Sequence, residues 1–249
     1  MPPPCCTDTS ASAAVHDPVG TVTQYATRDL IGPIAYKGYD PLNDPGWATT
    51  GAPTPALYAR WCRHLCGIAC LRMVLLHRDG HAPDLFTLLT GARNAGAYVR
   101  EPDGTIKGLI YAPFVEYTAH THRLPAAVHG DLDLEGLVAL LDAGHMVMAS
   151  VFKEIRRPEH EPERRGGHLV LAIGRRGGQI IFRNPSGHTD AARKPATSLD
   201  RFGAFFGARG ISLDPRHTVR RTPDPTAGRR PVASRPTTEQ GEPRCMPCP

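Results

Sequence analysis

Apolar residues follow two rhythms along this chain. In Leu65-Cys66-Gly67-Ile68-Ala69-Cys70-Leu71-Arg72-Met73-Val74-Leu75, Cys66, Cys70 and Met73/Val74 recur at i, i+4 and i+7/i+8. That spacing predicts one buried helix face, ending near Asp79-Gly80, where glycine suits a C-cap. Thr54 as N-cap and Pro55 at the first position open a preceding helix from Ala56 to about Arg63, with Leu57, Tyr58 and Trp61 on one side. Pro83 to Ala92 and Leu134 to Ala143 read as further amphipathic helices, the second capped by Asp133 and stopped by Gly144. Residues 108–122 read as helix or extended chain.

The second rhythm begins at residue 146. Residues 146–151 are a compact apolar strand, 167–173 a second and 179–183 a third. Arg176-Gly177-Gly178 forms the hairpin turn between the last two, and Asn184-Pro185-Ser186-Gly187 ends the third in a turn. A helix from Ser198 to about Ala208 and a short strand over 211–213 follow. Upstream, Val19 to Tyr25 is a β-branched run that predicts an edge strand. Asp40 to Pro55 is a long Pro/Gly/Asp/Asn loop carrying Trp47. Helices first and an antiparallel sheet afterwards make an α+β domain, not an alternating α/β one.

Composition narrows this picture. The chain has 249 residues, 41% hydrophobic and 21% charged, enough to bury a core. Residues 1–18 and 215–249 are rich in Pro, Ser, Thr or Arg and read as disordered segments flanking a domain over 19–214. The net charge of +5 is weighted toward the Arg-rich tail. No aromatic-studded basic groove accompanies it, so nucleic acid is not an expected partner. No apolar run approaches the roughly 20 residues that span a bilayer. The first residues lack the basic start and apolar core of a signal peptide, which predicts a cytoplasmic protein. Seven cysteines, an odd number, do not outline a disulfide framework. Cys5-Cys6 and the lone Cys245-Met246-Pro247-Cys248 pair lack the second spaced pair a zinc site needs, so neither metal nor cofactor is expected.

The candidate chemistry lies where the two rhythms meet. Cys66 stands in the first turn of a helix, where unpaired N–H groups and the positive dipole end favour a thiolate. His168 follows Gly166-Gly167 and begins an otherwise apolar strand. Asn184 ends the next strand of the hairpin, so hairpin geometry places it opposite His168. A side-chain carbonyl accepting from one ring nitrogen fixes the tautomer and aims the other at a thiol, the logic of a Cys–His–Asn triad. Cys62 and Cys70 read as buried packing.

Cys66-Gly67-Ile68-Ala69-Cys70-Leu71, then Gly167-His168-Leu169-Val170, then Asn184-Pro185 resembles cysteine peptidase family 39, papain-like enzymes known for removing leaders from bacteriocin precursors after a double glycine. The resemblance covers roughly Tyr58 to Leu213. It implies a papain-like fold, Cys66 as nucleophile, His168 as general base and Asn184 as orienting residue. It also implies a peptide or precursor-peptide substrate, and docking to a transporter or biosynthetic enzyme as a further partner relation.

One departure stands out. The family usually carries a Gln six residues before the nucleophile as an oxyanion donor, and this chain has Arg60 there. Arg60, the indole N–H of Trp61, backbone amides or Gln24 are the candidate substitutes. The alternative reading is a catalytically weak or inactive peptide-binding scaffold of the same fold. A less favoured third reading is acyl transfer or amide hydrolysis on a non-peptide substrate.

Overall fold

The computed structural model describes residues 15–16 and 18–217. The Cys5-Cys6 pair, Cys245, Cys248 and the Arg-rich tail lie outside these residues. A six-stranded antiparallel sheet runs in the order β1-β6-β2-β3-β4-β5. Its strands are β1 (Ala126–His129), β2 (Met146–Val151), β3 (His168–Arg176), β4 (Gln179–Arg183), β5 (Ala196–Ser198) and β6 (Phe206–Leu213). The helices are α1 (Ile31–Tyr36), α2 (Pro55–Trp61), α3 (Cys66–Asp79), α4 (Leu85–Asn94), α5 (Tyr111–His122), α6 (Leu134–Asp142), α7 (Asp190–Arg193) and α8 (Leu199–Phe205). The domain is α+β.

Both faces of the sheet are covered. Met146, Met148, Leu169, Leu171, Ile173, Ile211 and Leu213 join the core that α3 and α4 build. Val147, Ala149, Val151, Val170, Ala172, Ile180 and Phe182 face the core under α6 and α8. Side chains alternate between the faces along a strand, so β2 and β3 read as continuous apolar runs because both sides are dry.

The capping signals in the sequence place the helices as expected. Thr54 accepts from the Leu57 N–H, Asp133 from Gly136, and Asp84 from Thr87. α3 starts at Cys66 and closes on Gly80 in the left-handed conformation, φ 73°. The loop over 40–55 holds two short 3-10 turns pinned by the buried Asp44 carboxylate. Asp44 accepts from the Tyr58 hydroxyl (2.6 Å), the Thr27 hydroxyl (2.5 Å) and the Gly46 N–H (3.0 Å). A buried carboxylate is tolerated because its lone pairs are taken up this way.

The structure departs from these expectations in several places and adds elements they lacked. Residues 19–25 form no strand. They run as an irregular segment clasped by the sheet's far end, with the Arg183 guanidinium donating to the Val19 carbonyl (2.7 Å) and the Gln24 N–H to Pro185 O (2.9 Å). α1 was not foreseen. β1 and β5 are only four and three residues long, too short for a sequence period to mark them. The last helix stops at Phe205, not near 208, and β6 begins at once, five residues ahead of the expected strand. Residues 108–122 resolve to α5, beginning at Tyr111.

Candidate active site

α3 lies across β3, and this crossing brings the helix start to the strand start. The Leu169 backbone is the point of contact. Its carbonyl accepts from the Cys70 thiol (3.9 Å), and its N–H faces the Cys66 sulfur. Cys66 and His168 line the same cavity, of about 360 Å³. Cys62 and Cys70 are fully buried, whereas Cys66 is half-buried as a residue and is the one of these three that lines the cavity.

Gly166 and Gly167 turn the chain into β3 with φ of 74° and 96°, a conformation glycine adopts at little cost. They deliver His168 to the cavity wall with only 7% of its surface exposed. Its Nε2 sits 3.0 Å from Asn184 Oδ1 and 3.0 Å from Ser186 Oγ. The orientation of the Asn184 amide follows from a second contact. The atom facing His168 also lies 3.0 Å from the Ser186 backbone N–H, which can only donate, so that atom is the oxygen. An oxygen accepting at Nε2 puts the ring proton there and leaves Nδ1 unprotonated. Ser186 Oγ donates to the same oxygen (3.1 Å) and can accept a share of the Nε2–H. The turn itself is fixed by Asn184 N–H to Arg193 O (2.9 Å) and Gly187 N–H to Asn184 O (3.1 Å).

Electrostatics set the resting protonation. Burial, with help from the Arg156 charge and against the Asn184 hydrogen bond, holds His168 down at about 4. Burial also pushes the Cys66 thiol up, although the N–H groups of Leu169, Gly67 and Cys66 itself favour its thiolate. Both groups are therefore neutral at rest, a thiol and an imidazole lining one cavity.

Of the residues considered as oxyanion donors, Arg60 is exposed in the last turn of α2 and does not line the cavity. Trp61 is 2% exposed and packed edge-on against Tyr98, with Arg93 over its ring. It too is absent from the cavity lining. The 3-10 turn from Cys62 to His64 intervenes between α2 and α3, so register along one helix does not carry residue 60 toward residue 66. Gln24 is buried next to the segment leading into Cys66. Its Nε2 donates to the Cys62 carbonyl (2.9 Å), its backbone N–H to Pro185 O, and its Oε1 is buried without a partner. It is thus fastened both to the approach of Cys66 and to the Asn184 turn.

Several neighbours had no sequence signal. Ser186 reads as plain turn chemistry until the fold closes. Tyr25, pushed up to about 12 chiefly by burial, lies within electrostatic reach of Cys62, Arg156, Arg63 and Cys66. Arg156, at the end of a short 3-10 turn after β2, is 7% exposed and donates to Lys153 O (2.9 Å).

No family model and no curated protein sequence matches this chain. Among solved structures it is similar to the peptidase domain of Streptococcus ComA, a bi-functional ABC transporter of a quorum-sensing pathway. That likeness has 17% identity and a TM-score of 0.43 over 62% of this chain and 93% of that one. It is also similar to a double glycine motif protease from an AMS/PCAT transporter in complex with the leader peptide, at 18% identity and a TM-score of 0.39, covering 60% and 81%. A C39-like peptidase from Bacillus anthracis gives 17%, 0.45, 62% and 90%. The neighbours are C39 peptidase domains; the likenesses are loose, and the reading of the site rests on its own geometry.

Proposed function

We propose that this chain is a cysteine peptidase in which Cys66 attacks a peptide carbonyl. The observation that carries the reading is one cavity lined by the Cys66 thiol and a histidine whose far nitrogen is fixed by Asn184. With Nε2 holding its proton against Asn184, His168 Nδ1 is the nitrogen free to take the Cys66 proton as sulfur attacks. It then gives that proton to the departing amine. Because the resting pair is neutral, proton transfer accompanies attack and does not precede it. Water, deprotonated by the same nitrogen, then releases the acyl group and restores the thiol.

The developing oxyanion needs donors. The Cys66 N–H, in the first turn of α3, is one by position. Gln24 is the side-chain donor in this reading: like Arg60 and Trp61 it is not part of the cavity lining, but unlike them it is tied both to the approach of Cys66 and to the Asn184 turn. One hydrogen of its amide is spent on the Cys62 carbonyl, which leaves the second for the substrate.

The substrate class, a peptide, follows the motif resemblance, and leader removal from a ribosomally made precursor is the role it fits. Among the described residues no helix is long and apolar enough to cross a membrane. Mass spectrometry after brief treatment with an epoxide or iodoacetamide tests the central claim. Selective modification of Cys66, with Cys62 and Cys70 untouched and His168→Gln slowing it, is the expected result. A Cys66 that reacts no faster than the two buried thiols would sink the proposal and favour a binding scaffold.

A further inference from the structure

The cavity beside Cys66 has a polar wall that the reaction above does not use. Arg63, Tyr111, Ser150 and Arg209 line it together with Cys66 and His168. No Asp or Glu is part of that lining, and among the described residues neither arginine is in an ion pair. Arg63 donates one guanidinium N–H to the Ile34 carbonyl (3.2 Å), which leaves its other donors and those of Arg209 for an anion at a cavity with no carboxylate in its lining.

The backbone is shaped to place Arg209 there. β2 and β6 pair Ala149 with Gly210 and Val151 with Phe206, so the register shifts opposite Ser150. Three residues of β6 face one of β2, a bulge that re-aims side chains. Within it Ala208 adopts φ 49°, one of only two non-glycine positive φ values among the described residues. Strain of that kind persists only where surrounding structure demands it. Gly207 makes the bulge feasible, since a Cβ there would lie 2.9 Å from Gly166 Cα. The result is that Ala208 turns to the α8 side while Arg209 turns to the cavity, with its guanidinium close to Gly166 and within electrostatic reach of the Tyr111 hydroxyl. Ser150, which lines the cavity with Tyr111, accepts from the Gly167 N–H at 3.3 Å, one residue from His168.

We infer that Arg209, with Arg63 and Tyr111, forms a carboxylate-binding subsite within reach of Cys66, so that the substrate bears a carboxylate next to the bond that is cut. That carboxylate is either an Asp or Glu side chain or the chain's own C-terminus. The inference rests on Cys66 being the nucleophile.

Alkylation separates the two claims. The full chain is treated with iodoacetate and with iodoacetamide, and the rate at Cys66 is followed by mass. Relative to free cysteine, iodoacetate is expected to gain about tenfold over iodoacetamide, the size of one charge-assisted contact. Arg209→Met should abolish that gain and Arg209→Lys should keep most of it. A gain that survives Arg209→Met, or no gain at all, overturns the subsite and leaves the nucleophile standing. Failure of both reagents to modify Cys66 overturns the nucleophile and the subsite with it. Peptide libraries then distinguish the sources. Preferential cleavage beside Asp or Glu in C-terminally amidated peptides assigns the side chain, and preferential cleavage of free-acid over amidated peptides assigns the C-terminus. Cleavage indifferent to both would overturn the inference.

Discussion

Asn184 Oδ1 lies 3.0 Å from His168 Nε2, and the Ser186 N–H, at 3.0 Å from that oxygen, dictates that it is an acceptor. A residue in a turn thereby decides which nitrogen of a histidine sixteen residues earlier carries the proton. Asn184→Ala removes the acceptor and frees the tautomer, and should lower Cys66 alkylation or peptide cleavage by ~10²-fold or more. Asn184→Asp keeps the geometry and adds a negative charge, which favours the imidazolium. The acid limb of the pH–rate profile, set in the native protein near 4 by His168, should therefore move upward in this variant. A limb that stays in place would show that His168 is not the group being titrated.

Gln24 can be tested by comparing two reactions of the same thiol. Peptide hydrolysis builds charge on the substrate oxygen, whereas alkylation builds none there. Gln24→Ala should cut hydrolysis by ~10²–10³-fold while changing Cys66 alkylation by far less. Equal losses in both assays would mean that Gln24 acts through packing around Cys62. Thermal unfolding of the variant, which also loses the bond to the Cys62 carbonyl, gives the size of that structural part.

Stability should fall on acidification. His168 in the folded chain is held near 4, below its ordinary 6.5, so between these values the unfolded chain binds more protons. The stabilisation is complete above pH 6.5 and is lost as pH falls toward 4. From pH 6.5 to 5 the share due to His168 alone is about 1.6 kcal/mol, below 1.36 kcal/mol per unit because the unfolded histidine is only half protonated at 6.5. Denaturant titrations at the two pH values should give a smaller difference for His168→Gln than for the native chain. An unchanged difference would assign the acid sensitivity to other buried histidines, of which His64 and His122 are also held down by burial.

The triad candidates were legible because each sits at a punctuation mark of the sequence. Cys66 opens a helix, His168 opens a strand after two glycines, and Asn184 closes the partner strand with a proline behind it. Hairpin logic was enough to set the last two face to face. Gln24 could be named from the sequence as one of several candidate donors but not singled out, because no period or spacing relates residue 24 to residue 66. Only the tertiary path through the Pro185 and Cys62 carbonyls does so. The β-branched run from 19 to 25 looked like a strand for the same reason. Its backbone groups find partners in side chains and turns, not in a ladder. Arg209 was hidden by the Gly-Ala-Arg-Gly interruption of β6, which breaks the alternation that marks strands and turns out to be a bulge.

The clasp between the first described residues and the end of β4 also fixes when the site comes into being. The Val19 carbonyl and the Arg183 guanidinium are 164 residues apart in the chain, and Gln24 is tied to Pro185 over nearly the same interval. Contacts so distant in sequence form late, after the loop-closure cost has been met by nearer ones. Synthesis proceeds from the N-terminus, so Gln24 and Cys66 leave the ribosome long before the turn that orients His168 exists. The nascent chain therefore carries a thiol without its base and an amide without its anchor. On the proposed reading, activity arises in one step, once the Asn184 turn has been made and the clasp on Val19 and Gln24 has closed.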